Sequence, residues 1–411
     1  MEKDEVLIKK AASGKLGLHK IQDFVDTDKA VEIRRKAIER LTKTKLEHLA
    51  KHSISLGAVT NRNIDNPIGA IQVPVGIAGP LRINGEYAKG EFYIPLATTE
   101  GALVASFNRG ATAISESGGC TVRIVKEGMS RAPVFKLRNI QDSVKFRDWV
   151  NQHFYKFQQI MGEESKFLKL NEIQPFIIGK RVFLRFVCDP SDAMGMNMIT
   201  IGVNKVIDFI EKEYPSAKAI SVTGNLCTDK KTSAMNFILG RGKTVSAEVK
   251  IPEKIVKEKL KTTSKNIAEV CYSKNYIGSA RAATLGGFNA HVANGVAAIF
   301  IACGQDPAQI MNSAMAITTA EAEGDGAYFS ILMPSLEVGT VGGGTSIATQ
   351  REALEILGCY GAGTPPGTNA KKFAEIVCAN ALAGEISLLS ALAAGHLARA
   401  HAYLGRGKAL K

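Results

Sequence analysis

Aromatic side chains make up only 7% of this 411-residue chain, and its basic residues form no long Lys/Arg block. A nucleic-acid groove needs clustered positive charge and stacking rings, so the pattern disfavours one despite a formal net charge of +13. No Cys-x-x-Cys pair occurs among seven scattered cysteines, which argues against a zinc site or a disulfide framework and for a reducing cytosol. The opening MEKDEVLIKK lacks the apolar core of a secretory signal. No Gly-x-Gly-x-x-Gly opens a strand–helix unit, so the usual dinucleotide fingerprint is missing. GRGKT (240–244) resembles the end of a phosphate loop, but that motif needs a glycine five residues before Gly242, where Phe237 stands. There is no internal repeat and no low-complexity linker. The remaining reading is a globular chain, 45% hydrophobic and 22% charged, long enough for two or three domains. Its dispersed positive charge suits phosphate-bearing small molecules.

One stretch lacks charge altogether. From Ala282 to Gln305 no Asp, Glu, Lys or Arg occurs, a length that could span a bilayer. Asn289, His291, Asn294 and four glycines (286, 287, 295, 304) make it a poor lipid partner. The expectation is a buried central helix of a large domain, with no membrane association. Elsewhere, residues 1–55 read as amphipathic helices, with Ala30, Ile33, Ala37, Ile38 and Leu41 near helical spacing. NPIGAIQVPVGIAGPLRING reads as strands and turns, and GEFYIPLATTEGALVASFNRGATAI as a strand entering a helix capped by Thr98 or Thr99. Residues 133–220 hold more aromatics and charges and alternate strand-like with helical runs, as a compact α+β insert would. A second long helix is expected in FAEIVCANALAGEISLLSALAAGHLARAHAYLG. The fold class is therefore α+β. The expected units are 1–55, a large domain from 56–132 and 221–411, and a small domain from 133–220.

Several motifs carry chemistry, each beside a plainer reading. GNLCTDKKTSAMN (224–236) sets Asp229, Lys230 and Lys231 among small and apolar residues, as either a loop fixing a cation at a site or a solvated turn. DPSDAMGMNM (189–198) is either core filler or a flat apolar surface with Asp192 and Asn197 as polar handles, suited to a planar ring. GTVGGGT (339–345) could bring backbone N–H groups close to a phosphate, although tight glycine turns are common. Glu100 is either a favourable first-turn acid or a partly buried proton donor. Asp306 follows a long apolar run and could simply end a helix, helped by Pro307. His396 and His401 lie five apart, roughly 140° around a helix, so at most one faces a given site.

Seven segments then fall into one order: PVGIAGPL, ATTEGALVASFNRG, DAMGMNM, GNLCTDKK, GGFNAHVANGVAAIFIACGQDPAQ, GTVGGGT and LAAGHL. From about residue 60 onward the chain resembles the catalytic portion of the 3-hydroxy-3-methylglutaryl-CoA (HMG-CoA) reductases. The likeness is to the class I form of eukaryotes and archaea, without its membrane region. The resemblance implies a large domain around a long central helix, an inserted ferredoxin-like α+β domain, and a cofactor site that is not a Rossmann fold. It implies reduction of HMG-CoA to mevalonate and CoA by two NADPH per turnover, without a metal. It further implies a cytoplasmic homodimer or higher homo-oligomer with sites at the subunit interface.

Roles follow from the resemblance residue by residue. Lys230 matches the lysine that stabilises the carbonyl oxyanion, Glu100 the acid that protonates it, and Asp306 the carboxylate linking the two. His401 matches the histidine that protonates the departing CoA thiolate. Arg131, Lys231 and Lys274 match residues holding the hydroxymethylglutaryl portion, with Thr223, Asp229 and Asn294 nearby. Ser106, Asn108, Arg109 and Lys261 match the CoA path, to which the same likeness adds His396. On the cofactor side stand Asp192, Met194, Met196, Asn197, Gly342, Gly343, Gly344 and Arg406. Ser165 and Lys166 stand where the family contacts the 2′-phosphate, with lysine replacing the usual arginine, which keeps the charge and loses the fork. Departures include DNPIG (65–69) in the dimer segment, where Pro67 removes an N–H, and Gly407 in place of a phosphorylatable serine. Two other readings stay open: an NADH-preferring enzyme run oxidatively, and a basic CoA- or nucleotide-binding protein without redox turnover.

Overall fold

A computed structural model describes residues 2–395; His396, His401, Arg406 and Gly407 lie outside that range. Near the N-terminus, helices Glu2–Ala12 and Thr27–Thr42 pack together. The second is capped by Asp26, whose side chain accepts from the Lys29 N–H. Ala30, Ile33 and Ala37 are buried as their spacing implies, whereas Ile38 is half-buried and Leu41 exposed.

The strands are β1 (Val75–Asn84), β2 (Lys89–Ala97), β3 (Cys120–Arg131), β4 (Val134–Lys136), β5 (Lys169–Ile178) and β6 (Arg181–Asp189). They continue with β7 (Lys218–Ser221), β8 (Gly242–Pro252), β9 (Gly287–Phe288), β10 (Ala316–Glu323) and β11 (Gly326–Leu336). A continuous path runs β7-β4-β6-β3-β8-β11-β10-β9, with β1–β2 attached through β3 and β5 through β6. Strand β3 belongs to both halves. Its segment from Thr121 to Gly128 pairs with β8, and its last residues, Met129 to Arg131, pair with β6. Two separate apolar cores follow. One lies among residues 78–122 and 245–389; the other lies within 129–217 and contains Phe135, Phe146, Phe157 and Phe186.

The core of the larger half is a helix crossing built on small residues. Phe107, on helix Leu103–Glu116, lies between Gly295 of helix Val292–Ala302 and Gly384 of helix Thr368–Ala393. A Cβ on Gly295 or Gly384 would approach the Phe107 ring to 2.6 or 2.5 Å. At Gly110 a Cβ would meet the Ala383 carbonyl oxygen at 1.9 Å, so that residue fixes how closely two helices approach. The 26-residue helix Thr368–Ala393 is long and apolar enough to cross a bilayer, yet 83% of its apolar window is buried inside the protein.

Two buried glutamates tie that helix to its surroundings. Glu375 accepts from the backbone N–H groups of Glu86 (3.0 Å), Tyr87 (2.9 Å) and Ala88 (2.6 Å). Glu385 accepts from Ala290 and His291, both at 2.7 Å.

Two local expectations are corrected. The uncharged stretch 282–305 is not one long helix: only Val292–Ala302 is α-helical, and it is preceded by β9. Gly286 and Gly304, with φ of 71° and 66°, adopt left-handed turns that end regular structure on either side. Neither Thr98 nor Thr99 caps the helix after β2. Its N-cap is Ala102, with φ 73°, while Thr98 Oγ1 accepts from the Glu100 N–H at 3.0 Å and holds the preceding turn.

Candidate active site

The loop after β7 approaches its working position at a backbone cost. Asn225, Thr228 and Lys230 all have positive φ (65°, 49° and 58°), and a β-branched threonine is disfavoured there, at about 1–3 kcal/mol. Docking offsets that strain. Lys230 Nζ lies 2.9 Å from Asp306 Oδ2, Gln309 Nε2 donates to Asp229 Oδ1 at 2.7 Å, and Asn312 Nδ2 donates to the Thr228 carbonyl at 3.2 Å. Three consecutive residues of one loop thus seat on one turn, residues 306–312. Asp306 also accepts from the Ala308 N–H through Oδ1 at 3.0 Å, capping the short turn that Pro307 opens. Asp306 does not end the preceding helix, which stops at Ala302; it caps the start of the next turn, and its second oxygen remains for the lysine.

Beneath the pair lies a buried charge network. Arg241 bonds Glu337 through NH1, lies 3.2 Å from Asp229 Oδ1, and donates to the Ser130 carbonyl at 3.3 Å. Arg131 NH1 is 3.7 Å from Asp229 Oδ2, and its Nε donates to Thr200 Oγ1 at 3.1 Å. Burial works to raise the Asp229 carboxyl, but Arg241, the Gln309 hydrogen bond, Arg131 and Lys230 outweigh it and hold it below the usual carboxylate range. Burial likewise opposes the Arg241 charge, yet Glu337 and Asp229 prevail and raise its guanidinium.

A cavity of about 550 Å³ opens beside Asp306. Met194, Met196 and Asn197 line it from one side, and Gly342, Gly343 and Gly344 from another. The glycine turn has a steric reason. Gly342 and Gly343 adopt φ of 77° and 55°, and a Cβ on Gly344 would meet the Gly304 carbonyl oxygen at 2.6 Å. The apolar, backbone-rich walls fit a planar ring and a polar ligand tail, and the volume is in the range of small-molecule sites. Asp192 does not act as a polar handle here. It is buried, and its oxygens accept from Gly363 (2.9 Å), Gly367 (2.6 Å) and Ala370 (3.0 Å), anchoring the entry to the long helix. A buried carboxylate among backbone N–H donors is satisfied there, so its contribution to the cavity is through the position of Ala193 and Met194.

The other sequence candidates are spread more widely. Glu100 is exposed, not partly buried, and makes no ion pair with Lys230 among the described residues. Thr223 is exposed on the approach to the loop, and Lys231 Nζ turns back to the Asp229 carbonyl at 3.2 Å. Asn294 stands in the first turn of Val292–Ala302, with Nδ2 3.4 Å from His291 Nδ1. Ser106 Oγ and Ser387 Oγ are 2.9 Å apart, while Arg109 donates to the Ser387 hydroxyl and carbonyl, and Asn108 Oδ1 accepts from the Gly79 N–H at 3.0 Å. Lys261, left-handed just after the π-helical segment Val256–Leu260, and Lys274, within the π-helical segment Tyr272–Gly278, are exposed and take no ion pair among the described residues. Ser165 and Lys166 lie at the end of helix Phe154–Glu164 and do not line the cavity.

Sequence reasoning missed Arg241, Glu337, Gln309 and Asn312. Glu337 had a usable signal, an acid between Leu336 and Val338 in an otherwise uncharged run; Arg241 was set aside with the rejected phosphate loop.

An ammonium–carboxylate pair at the edge of an apolar, glycine-walled cavity is the layout of an enzyme that meets developing negative charge beside a planar ligand. A sequence model of the hydroxymethylglutaryl-coenzyme A reductase family matches residues 30–406, and the chain belongs to that family. Among its relatives, the 3-hydroxy-3-methylglutaryl-coenzyme A reductase of Pyrococcus abyssi is 53% identical over 407 residues, covering 98% of this chain and 99% of that one. The protein of the same name from Methanocaldococcus jannaschii is 50% identical over 411 residues, covering 99% and 100%. The fold is similar to a solved structure of the class II enzyme from Streptococcus pneumoniae bound to NADPH, with TM-score 0.65 and 17% identity over 94% of this chain and 98% of that one.

Proposed function

We propose that Lys230 and Asp306, at the mouth of the glycine-walled cavity, form the reaction centre for NADPH-dependent reduction of HMG-CoA to mevalonate and CoA. Family membership gives the overall reaction, and the 2.9 Å Lys230–Asp306 pair carries the assignment of its centre. The cofactor, when bound, supplies hydride to a carbonyl carbon. Met194, Met196, Asn197 and the Gly342–Gly344 turn would hold it.

The chain's own residues divide the remaining tasks. Lys230 neutralises the negative charge that grows on the carbonyl oxygen, and it does so best where water is excluded. Asp306 fixes the ammonium's position. Glu100 supplies the proton to the reduced oxygen, and His401, beyond the described residues, protonates the departing thiolate. Arg131, Lys231, Lys274, Thr223 and Asn294 orient the acyl portion, with Asp229 bracing Arg131. Ser106, Asn108, Arg109, Lys261 and His396 serve the CoA portion, while Ser165, Lys166 and Arg406 serve the distal part of the cofactor.

The finer assignments are class I, by the weight of archaeal identity, and a ferredoxin-like small domain between about residues 133 and 220. The cofactor site is not of Rossmann type. We assign a cytoplasmic homodimer whose second copy completes the site. An exposed Glu100 fits that reading. So does an apolar face with Ile71 (83% exposed), Val75 and Ile356 around a groove of about 640 Å³.

The test follows loss of reduced-nicotinamide absorbance with HMG-CoA, using NADPH and NADH in parallel. Lys230→Met is expected to lower kcat by about 10²–10³ with circular dichroism unchanged. Normal turnover by that variant would overturn the site assignment, and equal kcat/KM with NADH would overturn the cofactor preference.

A further inference from the structure

Arg241 touches both halves of the site. One terminal nitrogen bonds Glu337 and faces Asp229 Oδ1 at 3.2 Å; the other lies 2.7 Å from Met196 Sδ. Asp229 is the neighbour of Lys230 and is held to the same turn, residues 306–312. Met196 begins helix Met196–Glu213 and lines the cavity. Glu337 ends the run into the cavity-lining segment 339–344; its other oxygen accepts from Asn312 at 2.7 Å, and Asn312 donates to the Thr228 carbonyl. Arg241 and Glu337 are both fully buried, so the network has no water to substitute for a lost partner.

We propose that Arg241 is a positioning residue that sets the Lys230 loop and the Met196 wall of the cavity in one register, coupling dinucleotide binding to thioester binding. The inference rests on the site reading above. A planar guanidinium cannot satisfy four fixed partners, Glu337, Asp229, Met196 and the Ser130 carbonyl, in two arrangements, so movement of any one disturbs the others. The element able to move is the 228–230 loop, whose left-handed Thr228 and Lys230 are held only while their docking contacts persist. A ligand pressing on Met196 holds Arg241, and Arg241 holds Asp229. The loop is then already in place for the second ligand, whose affinity rises; the first ligand gains by the same factor.

The experiment uses the whole enzyme with NADP+ and HMG-CoA, a pair that cannot turn over, and titrates each ligand with and without the other. The wild type is expected to bind each at least about fivefold more tightly when the other is present. In Arg241→Lys, which keeps charge and loses the fork, that factor falls toward one. Because a buried arginine variant can fail to fold, Met196→Leu provides a second arm. It conserves volume, removes the sulfur contact, and should reduce the factor with circular dichroism unchanged. Lys230→Met, run alongside, loses turnover and tests the site reading alone, because it also removes the loop's own contact with Asp306. A wild-type factor of one, or full coupling in a folded Arg241→Lys or Met196→Leu, overturns the proposal. Normal turnover in Lys230→Met instead overturns the site reading, whatever the coupling does.

Discussion

Glu385→Gln tests whether one buried carboxylate positions the helix that leads to Asp306. The native side chain is fully buried and accepts two short backbone hydrogen bonds, from Ala290 and His291, at the start of helix Val292–Ala302. Hydrogen bonds to a charged group are worth roughly 1.5–3 kcal/mol each. Glutamine keeps one acceptor but turns its NH2 toward the other N–H, so one bond is lost and the other loses its charge. The expected loss is roughly 2–4 kcal/mol, and Glu385→Ala, which leaves both donors unsatisfied, should cost more. Urea unfolding should show a lower midpoint with an unchanged slope. Displacing the helix start also moves Asn294, so at a temperature where Glu385→Gln stays folded its kcat/KM for HMG-CoA should fall at least about tenfold, roughly 1.4 kcal/mol. An unchanged midpoint refutes the anchoring argument, and a lowered midpoint with unaltered kcat/KM refutes its link to the site.

Three further outcomes follow from the same geometry. Gly110→Ala places a Cβ against the Ala383 carbonyl at 1.9 Å, so the two helices must separate; the expected loss is about 1–3 kcal/mol, read by thermal unfolding. Gly344→Ala puts a Cβ 2.6 Å from the Gly304 carbonyl oxygen and should raise KM for NADPH by about tenfold or more, with a smaller change in KM for HMG-CoA. Asp229 has a folded pKa below its unfolded one, so the unfolded chain binds more protons as acid is added. Its contribution to stability is therefore present above the ordinary carboxylate value and lost as pH falls through the depressed one. Asp229→Asn should flatten that acid limb in unfolding midpoints measured across the range; an unaltered limb would show that the carboxylate is not held by its arginines.

Local signals were readable where neighbours in sequence decide the outcome. The helix Thr27–Thr42 follows from its apolar periodicity, and the structure adds the Asp26 cap at its start. The failures lie where tertiary contacts decide. Ala282–Gln305 looked like one helix because it carries no charge, but a left-handed Gly286 and strand β9 occupy its first part and left-handed Gly304 follows its end, leaving the helix Val292–Ala302. For Glu100 the small neighbours leave a first-turn acid and a partly buried donor equally open; it is exposed and precedes the Ala102 cap, so neither placement holds. Of the two readings of Asp192, the core one holds, but its three backbone N–H partners come from residues 363–370, far along the chain.

By itself the sequence determined the mixed α+β class, the long C-terminal helix and, through seven ordered segments, the family. These depend on periodicity, turn chemistry and motif order, which are written along the chain. Only the tertiary structure decided which charges meet. Lys230 reaches Asp306 because a strained loop docks on a distant turn, and Arg241 ties that loop to the cavity wall from inside the protein. Such pairings depend on how elements separated by tens of residues pack and exclude water, and no local pattern encodes that.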